Sequence, residues 1–286
     1  MHCGRIPFSR NANLYGKQGA PIRYAVLDFE TNGFVGRSVV SASSIVFDGQ
    51  GRILGYYNRF YFPRETPDWR TEQVHGLTTP RLAALRRNAA YPEFFPDDIE
   101  ALVDFWNGLK PDGIVVHNLS FDTAFLPGEA LSRQKWWCSM RGLTDVCAIV
   151  NPKRPGVPKW PKLQEAADRI ADIFPAPPAI RDAEEALNRL SHAHASLSDC
   201  FVLGSIMSRI VAHRPDIPTF RRLRGSKFLP PPFVPYPRNP PGPEDSITGE
   251  IRAFEAALSR VMQEKGAPRR EAPSHAETVD LPFPSE

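Results

Sequence analysis

The chain has 286 residues, enough for one large domain with or without appendages. Hydrophobic residues make up 42% and charged residues 23%, a globular composition, and no apolar run approaches the ~20 residues a membrane span needs. The formal net charge of +3 is too small for a protein that coats nucleic acid, yet it permits an enzyme that grips a few nucleotides at a local basic rim.

Residues 1–20 are polar and irregular and read as a flexible leader. Met1-His-Cys-Gly-Arg-Ile6 lacks an apolar signal core, and Cys3, Cys138, Cys147 and Cys200 show no Cys-x-x-Cys spacing. Free thiols in a reducing, cytoplasmic setting follow. Tyr24 to Phe29 is a continuous apolar run up to Asp28 and predicts a buried strand. Val39 to Phe47 and Ile53 to Phe62 are β-like runs divided by Asp48-Gly-Gln-Gly51, the pattern of a hairpin. Ile99, Leu102, Val103 and Trp106 give helical spacing over Ile99 to Leu109, ended by Pro111. Ile114 to Val116 predicts a short strand, Asp122 to Leu131 a helix that Pro127 kinks or delays, and Trp136 to Cys138 another strand. Leu163 to Ile173 and His194 to Val211 predict further helices. Strand, hairpin, helix, strand, helix, strand, helices is an α/β pattern with an antiparallel component.

After about residue 215 the composition changes. Phe220 to Phe228 is basic, and Leu229 to Pro243 is so proline-rich that neither a helix nor a central strand can form. The reading is a linker over 215–246, basic and then polyproline-like. Ile251, Phe254, Leu258, Val261 and Met262 restore helical spacing, predicting a short amphipathic helix over 247–265 that orders only against a partner or the core. Residues 266–286 read as a disordered tail.

Four acids stand out because each sits at the end of an apolar element, where a carboxylate loses hydration unless something pairs with it. They are Asp28 and Glu30 in Tyr24-Ala-Val-Leu-Asp-Phe-Glu-Thr-Asn-Gly33, Asp122 in His117-Asn-Leu-Ser-Phe-Asp122, and Asp199 in His194-Ala-Ser-Leu-Ser-Asp199. Asp28 and Glu30, two apart on a strand, point to one face while Phe29 points to the other. Divalent cations are the economical shared partner of such a cluster, and a pair of them can run phosphodiester hydrolysis. In a regular helix His194 and Asp199 would stand roughly 140° apart, so they converge more easily if His194 lies in the loop before the helix. A loop-borne imidazole with an ordinary pKa suits a general base. His192, seven before Asp199, has the wrong spacing.

These residues resemble the DEDDh 3′-to-5′ exonucleases, the family that includes the proofreading subunit of bacterial replicative DNA polymerases. Asp28-x-Glu30-Thr31, His117-Asn-x-x-Phe-Asp122 and His194-x4-Asp199 match its three motifs, and Glu72-Gln-Val-His-Gly-Leu-Thr78 matches a His-Gly-Ile-Thr segment; together they place an exonuclease domain over 21–214. The sister subclass uses Tyr in place of the His, and this chain has no tyrosine between Tyr91 and Tyr236. The resemblance implies the mixed five-stranded sheet of the RNase H-like superfamily, with two Mg²⁺ (or Mn²⁺) ions held by Asp28, Glu30, Asp122 and Asp199. It implies a base role for His194, and release of 5′-mononucleotides from single-stranded 3′ ends. It further implies that Thr31 and Asn32 backbone groups meet the terminal 3′-hydroxyl. Phe34, where relatives more often carry Leu, stacks on the last base, and His75, Asn118 and Phe121 shape the pocket. DNA is the expected substrate; RNA ends, as taken by RNase T and oligoribonuclease, are the alternative, because the motifs do not read the 2′-hydroxyl. A partner-binding scaffold on an inactive nuclease fold is the alternative from another class, and the presence of all five residues argues against it.

Two basic stretches offer phosphate contacts: Lys153, Arg154, Lys159 and Lys162 around Trp160, and Phe220 to Phe228, the latter a tether for a polymer rather than a catalytic element. Val279-Asp-Leu-Pro-Phe283 resembles the peptides that bind bacterial sliding clamps, without their usual leading Gln, which makes the tail a candidate for docking a replication or repair protein.

Overall fold

A computed structural model describes residues 22–187, 190, 195–238, 240–242 and 244–264. Its centre is a five-stranded sheet of β1 (Arg23–Thr31), β2 (Val39–Asp48), β3 (Ile53–Phe60), β4 (Gly113–Val116) and β5 (Trp136–Cys138) in the order β3-β2-β1-β4-β5. The β1–β2 and β2–β3 pairs are antiparallel, and the β1–β4 and β4–β5 pairs are parallel. This is the mixed five-stranded α/β sheet expected from the RNase H-like resemblance.

Eleven α-helical segments occur among the described residues. Those before β5 are α1 (Trp69–His75), α2 (Thr79–Leu85), α3 (Ile99–Leu109), α4 (Leu119–Asp122) and α5 (Gly128–Arg133). After it come α6 (Ser139–Gly142), α7 (Thr144–Cys147), α8 (Leu163–Ile173), α9 (Pro178–Leu187), α10 (Ser196–His213) and α11 (Ser246–Glu264). The single helix expected around Asp122 to Leu131 is two pieces, because Leu126 is extended (φ −115°, ψ 133°) ahead of Pro127.

The alternation of β1 divides the core. Tyr24 and Val26 face a layer built with α8, α9 and α10, while Ala25, Leu27 and Phe29 face a second layer with α3 and α5. Helix α10 lies unusually close to the sheet: a Cβ on Gly204 would stand 2.2 Å from the Phe47 ring. Tyr24 adds a hydroxyl pair with Ser208 at 2.7 Å.

Where a linker was expected, the described residues after 215 pack against the sheet domain. Arg221 exchanges both backbone hydrogen bonds with Trp136 (2.8 and 3.0 Å) and covers the open edge of β5. Farther on, Phe233 stacks edge-on against Phe94 at 6.0 Å, the Val234 amide donates to Arg64 O, and Tyr236 OH donates to Pro63 O. Proline removes donors from this segment, but side chains and the remaining amides still bind it to the core. Helix α11 is amphipathic as its spacing predicts, and its apolar face is spent on the core: Ile251, Phe254, Leu258 and Met262 are buried. The leader and the terminal tail with Val279–Phe283 lie outside the described residues. Among the described residues no helix is long and apolar enough to cross a membrane, and Cys138, Cys147 and Cys200 are free thiols.

Candidate metal centre

The row that runs Tyr24, Val26, Asp28, Glu30 along one face of β1 turns from apolar to acidic where the strand leaves the core. Parallel β1 and β4 end at the same edge of the sheet, so the turn after β4 brings Asp122 beside them. Carboxyl ends of adjacent parallel strands are where open α/β sheets place ligands. Asp199 arrives from the α10 side, in the first turn of that helix. Carboxylate oxygens of Asp28, Glu30 and Asp199 all lie within 4.8 Å of one another.

The electrostatics follow from this crowding. Burial, then Glu30, Asp199 and Asp122, push the Asp28 carboxyl well above the usual range. Glu30 is raised by burial and by Asp199 and Asp122. Asp122 is pushed up to about 7 by burial, against the pull of backbone hydrogen bonds at its own position, Asn118 and Phe29. Among the described residues no ion pair includes Asp28, Glu30 or Asp122. Carboxylate oxygens brought this close are hard donors of the kind that hold a divalent cation. A bound cation would offset the repulsion that adds to burial in raising Asp28 and Glu30.

A serine network fixes the two halves of the cluster against each other. Ser41 and Ser43 are the β2 partners of Glu30 and Asp28 and point to the same face. Both hydroxyls meet Ser196, the first residue of α10, at 2.6 and 2.7 Å. One turn on, the Cys200 thiol, held neutral by burial and the neighbouring acids, donates to Ser43 O at 3.1 Å. Asp199 therefore rides on a helix end pinned to the strand next to Asp28 and Glu30. None of these serines was anticipated from the sequence, although Ser41-x-Ser43 in an otherwise apolar strand was a visible irregularity.

A second buried acid organises the loop after β1. Glu65, 2% exposed, accepts from Asn32 Nδ2 (2.8 Å), the Ser38 amide (2.9 Å) and Ser38 Oγ (2.7 Å). Asn32 Oδ1 in turn accepts from the Asp68 amide at 2.6 Å. The Asn32 amide donates to Ser38 O at 2.8 Å, so the group expected to meet a 3′-hydroxyl is engaged inside the loop. Thr31 Oγ1 donates to Gly33 O. Phe34, by contrast, stands 81% exposed on the Gly33–Gly36 turn, where both glycines have positive φ.

Asn118 lies two residues beyond β4 and caps α4, its carbonyl accepting from the amides of Phe121 and Asp122. Phe121 packs edge-on against Phe125, which packs on Phe29 behind the acids. His117 is held by Ser139 Oγ and Pro161 O, both at 3.0 Å, and burial lowers its pKa, so it stays neutral and structural. His75 is buried at the end of α1, with Nδ1 accepting the Leu77 amide at 3.0 Å, which places it in its own turn. His192 and His194 lie outside the described residues.

No protein-family model and no curated protein matches the sequence. Solved structures do. An exonuclease X in complex with 5′ overhanging duplex DNA is 20% identical, with 67% of this chain and 93% of that chain covered and a TM-score of 0.44. Exonuclease I of E. coli in complex with a dA16 oligonucleotide is 13% identical (68% of this chain, 42% of that chain, TM-score 0.45). A moderately thermophilic exonuclease I from Methylocaldum szegediense is 17% identical, with the same coverages and a TM-score of 0.43. The chain thus spans nearly all of the exonuclease X and about two fifths of the exonuclease I chains. What it is similar to, at this identity, is the fold of exonucleases I and X.

Proposed function

We propose that the chain is a metal-dependent 3′-to-5′ exonuclease that hydrolyses single-stranded DNA ends to 5′-mononucleotides. One observation carries this reading: Asp28, Glu30 and Asp199 converge within 4.8 Å at the strand ends, with Asp122 close enough to raise the pKa of both β1 acids. Asp28, Glu30, Asp122 and Asp199 would hold two Mg²⁺ ions, or Mn²⁺ in their place. When bound, these supply positive charge to the scissile phosphodiester and acidify the attacking water. His194 takes the proton from that water, and Phe34 offers an exposed ring on which the terminal base stacks. Thr31 and the Asn32 loop border the 3′-hydroxyl, with Asn118 and Phe121 shaping the wall beside Asp122 and His75 bracing the α1 turn.

The test is digestion of matched DNA and RNA oligonucleotides, labelled at the 5′ or the 3′ end, with Mg²⁺ or EDTA, using the natural chain and Asp199→Asn. Stepwise shortening of DNA from the 3′ end in Mg²⁺, lost in EDTA and in Asp199→Asn, is expected. Cleavage that survives in Asp199→Asn would remove the four-acid site. Preference for RNA would transfer the reading to an exoribonuclease.

A further inference from the structure

The segment 221–229 forms a strap between the β5 edge and the loop that follows β1. It starts at the β5 edge and passes α5. It then reaches the turn that bears Phe34, where a Cβ on Gly36 would stand 3.7 Å from Leu229 Cβ. Between the strap and α4 lies an open cleft of about 450 Å³. Leu119, Ser120 and Thr123 form one wall, and the rest of the lining includes three cations, Arg224 and Lys227 of the strap and Arg141 of α6. No carboxylate lines the cleft.

Elsewhere in the fold several basic side chains are held by acids: Arg133 by Glu100, Arg214 by Asp216, Lys159 by Glu165 and Arg238 by Glu93. Among the described residues no ion pair includes Arg141, Arg224 or Lys227. The strap is fixed between its two cations. Ser226 Oγ donates to Leu126 O at 2.6 Å and accepts from the Phe228 amide at 2.9 Å, and Gly225 takes φ +84°. The Arg141 guanidinium lies 5.2 Å over the ring of Trp160, which is 57% exposed. A cation over an exposed aromatic suits a phosphate with its base.

We propose that this cleft binds the phosphodiester backbone of the single strand, 5′ of the terminal nucleotide held at the acids. The inference rests on the exonuclease reading and assigns to it a strand-gripping subsite made by the strap. Leu119 and Ser120 of the cleft wall belong to α4, the short helix that ends at Asp122, so one helical turn carries both the cleft wall and a carboxylate of the cluster. A ligand filling both must present phosphate to a cationic groove and to a metal-binding carboxylate pole, as a nucleic-acid strand does. A phosphopeptide or lipid headgroup has no use for the second.

The experiment compares full-length protein with Arg224→Ala/Lys227→Ala, and with Lys110→Gln as a control before the opposite end of β4. Anisotropy of a labelled single-stranded 12-mer in EDTA between 50 and 200 mM salt gives the salt slope. At about 0.7 per phosphate contact on single strands, losing two contacts makes the slope shallower by about 1.4. Natural-sequence affinity then falls about sevenfold more than the double variant's over that range, and Lys110→Gln keeps the natural slope. In Mg²⁺, kcat/KM of the double variant falls more on the 12-mer than on a dinucleotide. An unchanged slope while 3′-end cleavage proceeds overturns the cleft and leaves the exonuclease reading standing, as does an equal loss on both lengths. A natural chain that neither binds nor shortens the 12-mer overturns both.

Discussion

Replacing Asp122 by Asn tests the carboxylate cluster without measuring turnover. Asn keeps the volume and an acceptor oxygen for the nearby amides but removes the charge. In the fold this carboxyl releases its proton near 7, against 3.8 ordinarily. Below about pH 4 folded and unfolded chains are both protonated, and the shift has no effect on stability. As pH rises the unfolded chain loses its proton first, so the folded state is progressively disfavoured until its own carboxyl ionises. At about 1.4 kcal/mol per pH unit, the cost to the metal-free fold is about 2 kcal/mol at pH 5 and about 4 kcal/mol at pH 8. For a chain of this size the latter is on the order of 10 °C in Tm. Thermal melts in EDTA should therefore find Asp122→Asn more stable than the natural sequence at pH 8, with the gap shrinking towards pH 4. Adding Mn²⁺ at pH 8 should raise the Tm of the natural sequence and do far less for the variant. If Asp122→Asn destabilises equally at all pH values, the side chain is a helix-end hydrogen-bonding group, and a buried, poorly hydrated carboxylate is not what shapes this site.

Three further outcomes follow. His194→Ala should slow 3′-end cleavage ~10²–10⁴-fold, the usual contribution of a positioned general base, while His192→Ala does little; the reverse ranking in single-turnover rates would assign the base to His192. Gly204→Ala should destabilise by ~1–3 kcal/mol in urea unfolding. The added methyl meets the Phe47 ring at 2.2 Å, and this outweighs the ~1 kcal/mol that Ala gains over Gly in a helix interior; a more stable variant would show that α10 can lift off the sheet without cost. Leu258→Ala should cost ~2–5 kcal/mol, because that side chain is fully buried, and an unchanged midpoint would mean that α11 does not belong to the core.

The strands and two helices were legible because their signals are local. Ile99–Leu109 and Leu163–Ile173 begin and end where the apolar spacing predicts, with Pro111 and Pro161 nearby as punctuation. Helix α9 was missed although Ile180, Ala183 and Leu187 carry the spacing of one buried face, since a run with so many acids reads as solvated. For α11 the periodicity announced a buried face but not what covers it, and the answer, the fold's own core, lies far away in sequence. The proline stretch misled for a related reason: proline excludes helix and inner strand, but it does not exclude an extended strap whose Phe233, Tyr236 and Arg238 bind the surface beneath.

The same distinction separates the acids from what holds them. A carboxylate at the end of an apolar run is anomalous within five residues, because burial of charge is costly wherever the chain later goes. A serine is anomalous only beside its partner, and Ser41 meets Ser196 across 155 positions. Likewise Glu65 is an unremarkable acid between prolines until the fold closes Asn32 and Ser38 around it. Chemistry that needs charge is therefore written in the local pattern. The rigidity that aims the charge comes from neutral hydrogen bonds between distant elements, and these become readable only once the sheet register is known.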